Sequence, residues 1–336
     1  MEKKVIVVLG VTGIQLIVYM QGGSVAELFR TLPDWTVRGV TRDTSTPKAA
    51  ALRDQGIEVV AGDFDDFASL SNAFRGATAI FAVTDFWTPF YNPATKALLA
   101  PGQTINEYCY ELELQRAMNI AKAAAENLGT VERFIFSSLS HAKELSNGKY
   151  TWVYHFDSKA EAARRIKQEF PELAARMSLL QVGLYATNWK AGMGAFRKQA
   201  DGTFGLFANS SGNTPIPMVV PHKDTGSFVH ALVRSPPGLT LLGFGQMLSW
   251  REYAALWSRI LGVEATYHEV PTADLAKELP EGLERELPEM ALYMEEFGYD
   301  GGDPSIIHPT DLPVECPTTS IEDYIKHEDW SPILKS

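Results

Sequence analysis

Three groups of residues in this chain have types and spacings that can do chemistry. Gly10-Val11-Thr12-Gly13-Ile14-Gln15 directly follows the apolar run Val5–Leu9. Glycines there permit a tight turn and let backbone amides approach a pyrophosphate at a helix N-terminus. Arg42, with Lys48 shortly after it, follows a second apolar run. A carboxylate at that point suits the ribose 2′-hydroxyl of NAD, whereas a guanidinium suits the 2′-phosphate of NADP. Arg42 alone would read as a solvated loop cation; the glycine turn ahead of it favours NADP. The third group is Ser137-Ser138 followed by His155-Phe156-Asp157-Ser158-Lys159. It offers a hydroxyl, an imidazole whose ordinary pKa near neutrality suits a general acid, and a cation. Without a Tyr-type arrangement, His155 reads first as a satisfied packing residue and only then as a general acid. Tyr154 beside it points about 100° away on a helix and is no simple substitute.

Positioning these groups requires a sheet. Short β-branched runs alternate with segments of helical period through the first half, the pattern of a parallel sheet covered by helices. Strands are expected at Lys4–Leu9, Thr36–Thr41, Glu58–Ala61, Ala79–Val83, Arg133–Ser137 and Ser178–Val182. Helices are expected near Gly23–Thr31, Pro47–Gln55, Phe67–Phe74, Ile105–Asn127 and Ser158–Glu169. The fold class is therefore α/β, a doubly wound parallel sheet of Rossmann type with ligands at the carboxyl ends of its strands. From about Trp189 the alternation loosens, so residues 1–189 read as an NADP-binding domain. Residues 190–336 read as a smaller α/β lobe for substrate or partner, exchanging segments with the first.

Composition bounds the function. With 336 residues, 45% of them hydrophobic, the chain can bury a large core, and its net charge of −11 repels nucleic-acid backbones. No apolar stretch near the start is long enough to span a bilayer, and Cys109 and Cys316 lie far apart without metal-ligand spacing. The expectation is a cytoplasmic protein without metal, membrane or direct nucleic-acid partner, the nucleus being open to it if it is a regulator. No Gly-x-Ser-x-Gly elbow for acyl transfer occurs.

The glycine turn also carries a resemblance. Gly10-Val-Thr-Gly-Ile-Gln15 and Gly22-Gly-Ser-Val-Ala26 look like two halves of the motif of the NmrA-like family, an atypical branch of the short-chain dehydrogenases. Here the halves are separated by six residues, Leu16–Gln21. Simply lengthening the helix would rotate its apolar face, so a bulged loop or a displaced helix start is expected. The resemblance extends from about residue 4 to residue 270. It implies that Asp63 and Phe64 contact the adenine side, and that Val83-Thr84-Asp85-Phe86-Trp87 passes beneath the nicotinamide half. It further implies that Lys159 binds the cofactor and that Tyr185-Ala186-Thr187-Asn188 closes over the nicotinamide. In ordinary short-chain dehydrogenases a Ser, a Tyr and a Lys carry the reaction; here Ser138 and Lys159 remain and His155 stands at the Tyr position.

Two functions follow as expectations. One, which the resemblance implies, is an NADP-dependent oxidoreductase of secondary metabolism reducing a small carbonyl, quinone or imine, with Ser138, His155 and Lys159 as its catalytic set. Trp87, Phe90 and Tyr91 would line an aromatic substrate pocket, core packing being the alternative. The other is a redox sensor that binds NADPH without turnover and grips a transcription factor. A homodimer is an expectation by analogy only.

Overall fold

Ile6, Val7 and Val8 are fully buried, as β-branched residues are when both faces of a strand are covered by helices. The computed structural model describes residues 3–12 and 16–335, with the backbone alone for 16–19. Seven strands form one parallel sheet: β1 (Lys4–Val8), β2 (Trp35–Thr41), β3 (Glu58–Ala61), β4 (Ala79–Ala82), β5 (Arg133–Ser138), β6 (Met177–Val182) and β7 (Thr240–Gly243). Their spatial order is β7-β6-β5-β4-β1-β2-β3. The six expected strands lie within one residue of their expected ends. β7, from the second half of the chain, was not anticipated.

The chain winds outward from β1 to β3 and then returns to β4, which pairs with β1 on its other side. This reversal opens a crevice beyond the carboxyl ends of β1 and β4, where an open α/β sheet binds its ligand. Five helices bear on that crevice: α1 (Leu16–Arg30), α2 (Ile105–Glu126), α3 (Tyr154–Glu169), α4 (Pro221–Arg234) and α5 (Leu283–Phe297). α2 opens with a capping box in which the Thr104 hydroxyl accepts from the Glu107 amide and the Glu107 carboxylate accepts from the Thr104 amide. α3 begins four residues ahead of the expected Ser158, which places His155 and Lys159 one turn apart on a single helix.

Beyond the sheet, short strands and the helix Trp250–Leu261 enclose a second core. Trp189, Tyr253, Trp257 and Trp330 are buried in it. A third cluster, with Phe156, Met290, Tyr293 and Tyr299, seals the inner end of the crevice with residues of α3 and α5. Among the described residues no helix is long and apolar enough to cross a membrane. Burial pushes the Cys109 and Cys316 thiols up to about 12, so neither is a ready thiolate.

Candidate functional site

At the carboxyl ends of β4, β5 and β6 lies a cavity of about 100 Å³. It brings together Thr84, Asp85 and Phe86 after β4, Ser137 and Ser138 at the end of β5, and His155 and Lys159 of α3. Tyr185 and Asn188 after β6 complete the set. The remaining wall is mostly apolar, with Trp87, Phe156, Met193, Met290 and Tyr299. Thr84 Oγ1 is buried here without a hydrogen-bond partner among the described residues, a group waiting for a ligand.

His155 does not merely pack. Its Nδ1 lies 2.5 Å from Oε1 of Glu286, and its backbone N–H donates to the same oxygen at 2.9 Å. Asn106 Nδ2 donates to the other carboxylate oxygen at 2.7 Å. Glu286, on α5, is fully buried. The imidazole lies against Trp87 and Phe156, with ring centroids 4.9 and 4.8 Å away. One turn further along α3, Lys159 Nζ lies 2.5 Å from Oε1 of Glu113, whose other oxygen accepts from the Ser158 hydroxyl. A buried carboxylate from a different helix thus backs each of the two site groups.

Neither glutamate was anticipated from sequence. Glu113 could have been: Asn106, Cys109, Glu113, Ala117 and Ile120 form the buried stripe of α2, and a charge within an apolar stripe signals a buried partner. Glu286 looks like an ordinary acidic residue in a first helical turn.

Ser138 Oγ makes only long bonds, to the carbonyls of Lys159 at 3.3 Å and Leu139 at 3.4 Å, leaving it free to turn toward a ligand. Asp85 accepts from the Trp87 and Thr88 amides and the Thr88 hydroxyl, so its carboxylate fixes the turn that carries Phe86 and Trp87. Among the described residues, Asn188 Nδ2 approaches Met193 Sδ alone, at 3.8 Å. The Ala186 N–H donates to the Val219 carbonyl, holding the segment after β6 in place.

The six-residue interruption has a definite outcome. The helix expected from Gly23 begins at Leu16 instead, so the helix start is displaced and the extra residues form added turns ahead of the second half of the family motif, not a bulged loop. Gly22 is held against β1: a Cβ there would come within 2.4 Å of the Leu9 carbonyl oxygen. Two residues on, Ser24 Oγ accepts from the Gly226 N–H of α4 at 2.9 Å. These two contacts fix the remainder of α1 against β1 and α4. Gln21 crosses the crevice: Nε2 donates to the Tyr185 hydroxyl at 2.5 Å and Oε1 accepts from the Ser137 hydroxyl at 2.9 Å. The Thr187 hydroxyl donates to Met20 Sδ at 3.4 Å.

The expected adenosine side lies outside the cavity. Gly10 adopts φ +76°, a left-handed conformation that a glycine accepts without strain. Val11 is buried, and Thr12 Oγ1 donates to Thr41 Oγ1 at 2.8 Å, tying the glycine turn to the end of β2. Gly13, Ile14 and Gln15 lie outside the described residues. Arg42 is exposed just beyond β2. The Asp63 carboxylate accepts from the Asp65 amide, and the Phe64 carbonyl accepts from Asn119 Nδ2 at 2.9 Å. Arg116 grips Asp65 through two bonds and holds its carboxyl below the usual range. Asp66 caps the following helix, its carboxylate accepting from the Ala68 and Ser69 amides.

The residues present therefore suit a dinucleotide at its two ends: a cation beyond β2, and a lysine, an orphaned threonine hydroxyl and an asparagine around the inner cavity. Between the ends stands Gln21.

The family model described as the NmrA-like family matches residues 2–329. An NmrA-like family domain-containing oxidoreductase, cpsB of Aspergillus campestris, is 27% identical over 247 residues. That match covers 70% of this chain but 65% of cpsB, so the chain spans just under two thirds of that relative. Among solved structures, NmrA, a negative transcriptional regulator in complex with NAD, superposes with a TM-score of 0.71 at 19% identity, covering 97% of this chain and 95% of its own. The same regulator in complex with NADP gives 0.68 at 18% identity with the same coverage. An NADPH-dependent quinone oxidoreductase of Escherichia coli gives 0.65 at 21% identity, covering 96% and 98%.

Proposed function

The chain belongs to the NmrA-like family, and from that premise we propose that it is an NADP-dependent oxidoreductase reducing a small carbonyl, quinone or imine. The observation that carries this reading is the convergence of Ser138, His155 and Lys159 on one largely apolar cavity at the carboxyl ends of the sheet. The naming of cpsB as an oxidoreductase and the NADPH dependence of the quinone oxidoreductase support it.

Arg42 would hold the 2′-phosphate, Asp63 and Phe64 the adenine side, and the turn Gly10–Thr12 the phosphates. Thr84, Lys159 and the segment Tyr185–Asn188 would hold the nicotinamide half. NADPH, when bound, supplies a hydride. The rest falls to the chain. Ser138 donates a hydrogen bond to the substrate heteroatom and orients it, and His155 delivers the proton that this atom takes up. Phe86, Trp87, Phe156 and Met290 exclude water and favour a flat, aromatic substrate.

A second reading, a sensor of NmrA type that binds NADP and grips a transcription factor without turnover, is favoured by one observation: Gln21 bridges the crevice where a pyrophosphate would run. The test is oxidation of NADPH and NADH across a panel of quinones, ketones and imines, with wild type and Arg42→Ala. Turnover with NADPH, and a preference over NADH reduced about tenfold or more in the variant, is expected. Tight NADPH binding with no turnover on any substrate would select the sensor, and failure to bind either nucleotide would defeat both readings.

A further inference from the structure

We propose that Glu286 is a positioning residue that fixes a proton on Nδ1 of His155, so that the imidazole presents Nε2 to the cavity as its proton-donating atom. This rests on the reading of His155 as the proton donor.

The argument is one of donors and acceptors. Glu286 Oε1 already accepts from the His155 backbone N–H at 2.9 Å, and Oε2 accepts from Asn106 Nδ2 at 2.7 Å. Asn106 is itself anchored by donating to the Gly282 carbonyl at 2.9 Å. Both oxygens already accept from N–H donors, which favours the ionised, acceptor-only carboxylate and so favours the hydrogen of the 2.5 Å contact lying on Nδ1. Nδ1 faces the buried carboxylate, and Nε2 is left without a hydrogen-bond partner among the described residues, on a ring that lines the cavity. Trp87 and Phe156 pack around the ring and oppose its rotation.

A fully buried carboxylate is an expensive way to fill space, since an apolar side chain of the same size would avoid its desolvation. The other titratable groups around the cavity are Asp85 after β4, Lys159 of α3, Tyr185 after β6, and Tyr299. Cys109 and Glu113 of α2, and Tyr154 and Asp157 of α3, stand in the layer behind. None of them is hydrogen-bonded to the imidazole.

In the step itself, the substrate carbon would take up the hydride that bound NADPH would supply, and the substrate's π electron pair would move to its oxygen or nitrogen. The Nε2–H bond of the imidazolium breaks, its electron pair stays on the ring, and the new O–H or N–H bond forms. The Nδ1–H stays hydrogen-bonded to Glu286, and solvent returns the proton to Nε2.

The test begins with the unmodified protein: ¹⁵N NMR of the histidine ring nitrogens, with His155 assigned by comparison with His155→Gln. The neutral ring should carry its proton on Nδ1; a neutral ring protonated on Nε2 overturns the proposal whatever the activity. The second arm is Glu286→Gln, with NADPH binding as the check on folding. The expected result is a kcat lower by about tenfold or more with KM little changed, and the high-pH limb of the profile moved to lower pH. A folded variant with the wild-type kcat and profile also overturns it. Should no substrate turn over, the oxidoreductase reading fails while the NMR result still decides the role of Glu286.

Discussion

Gln21 and Ser137, 116 positions apart in sequence, are joined by a hydrogen bond of 2.9 Å across the crevice at the carboxyl ends of the sheet. Gln21 also donates to Tyr185, so one amide ties α1 to the end of β5 and to the segment after β6. It belongs to the six residues that divide the family motif, and under the proposed NADP binding it would stand where the N-terminus of a first helix faces a pyrophosphate.

Removing Leu16–Gln21 should therefore restore a helix start at Gly22 and tighten NADPH binding by about tenfold, roughly 1.4 kcal/mol. Gln21→Ala, which deletes the bridge but keeps the extension, should recover only part of this. Fluorescence titration of the three proteins with NADPH is the measurement. Equal affinities would mean that the extension yields to the dinucleotide without cost.

Lys159 and Glu113 form a pair whose side chains are 12% and 0% exposed. Lys159→Met should leave Glu113 buried beside Ser158 alone and lower stability by about 3 kcal/mol. Adding Glu113→Gln should recover more than half of that loss, because the uncompensated charge is gone. Urea unfolding of the single and double variants measures it, and simple additivity of the two substitutions would show that the pair is not coupled.

His141 Nδ1 lies 3.2 Å from Asp157 Oδ1, and the hydrogen bond to that carboxylate raises the His141 pKa above 6.5 in the fold. A raised histidine contributes stability that is complete below its ordinary value and is lost as pH rises through the folded value. Wild type should therefore exceed His141→Gln by about 1 kcal/mol below about pH 6 and converge with it above about pH 8. Denaturant midpoints across this range decide the matter, and a constant gap would refute the linkage.

Much of this protein is legible along the chain. The six strands were readable because a strand covered on both faces must be continuously apolar, and Val5–Leu9 and Ala79–Val83 are such runs. The glycine turn and Arg42 were readable because special backbone geometry and phosphate charge restrict residue type locally. Ser138, His155 and Lys159 could be singled out by their place after a strand and within one segment, and the fold delivers all three to one cavity.

What stands behind them could not be read that way. Glu286 reaches His155 across 131 positions and Glu113 reaches Lys159 across 46, partnerships set by how α2, α3 and α5 pack, which no local spacing encodes. The fate of the six added residues was likewise tertiary. Gly22 against Leu9 and Ser24 against Gly226 pin the rest of α1, and Gln21 at the base of the extension bonds to Ser137 and Tyr185. Local composition determined which chemistry the chain carries; long-range packing decided which partners stand behind each group and how far the crevice lies open.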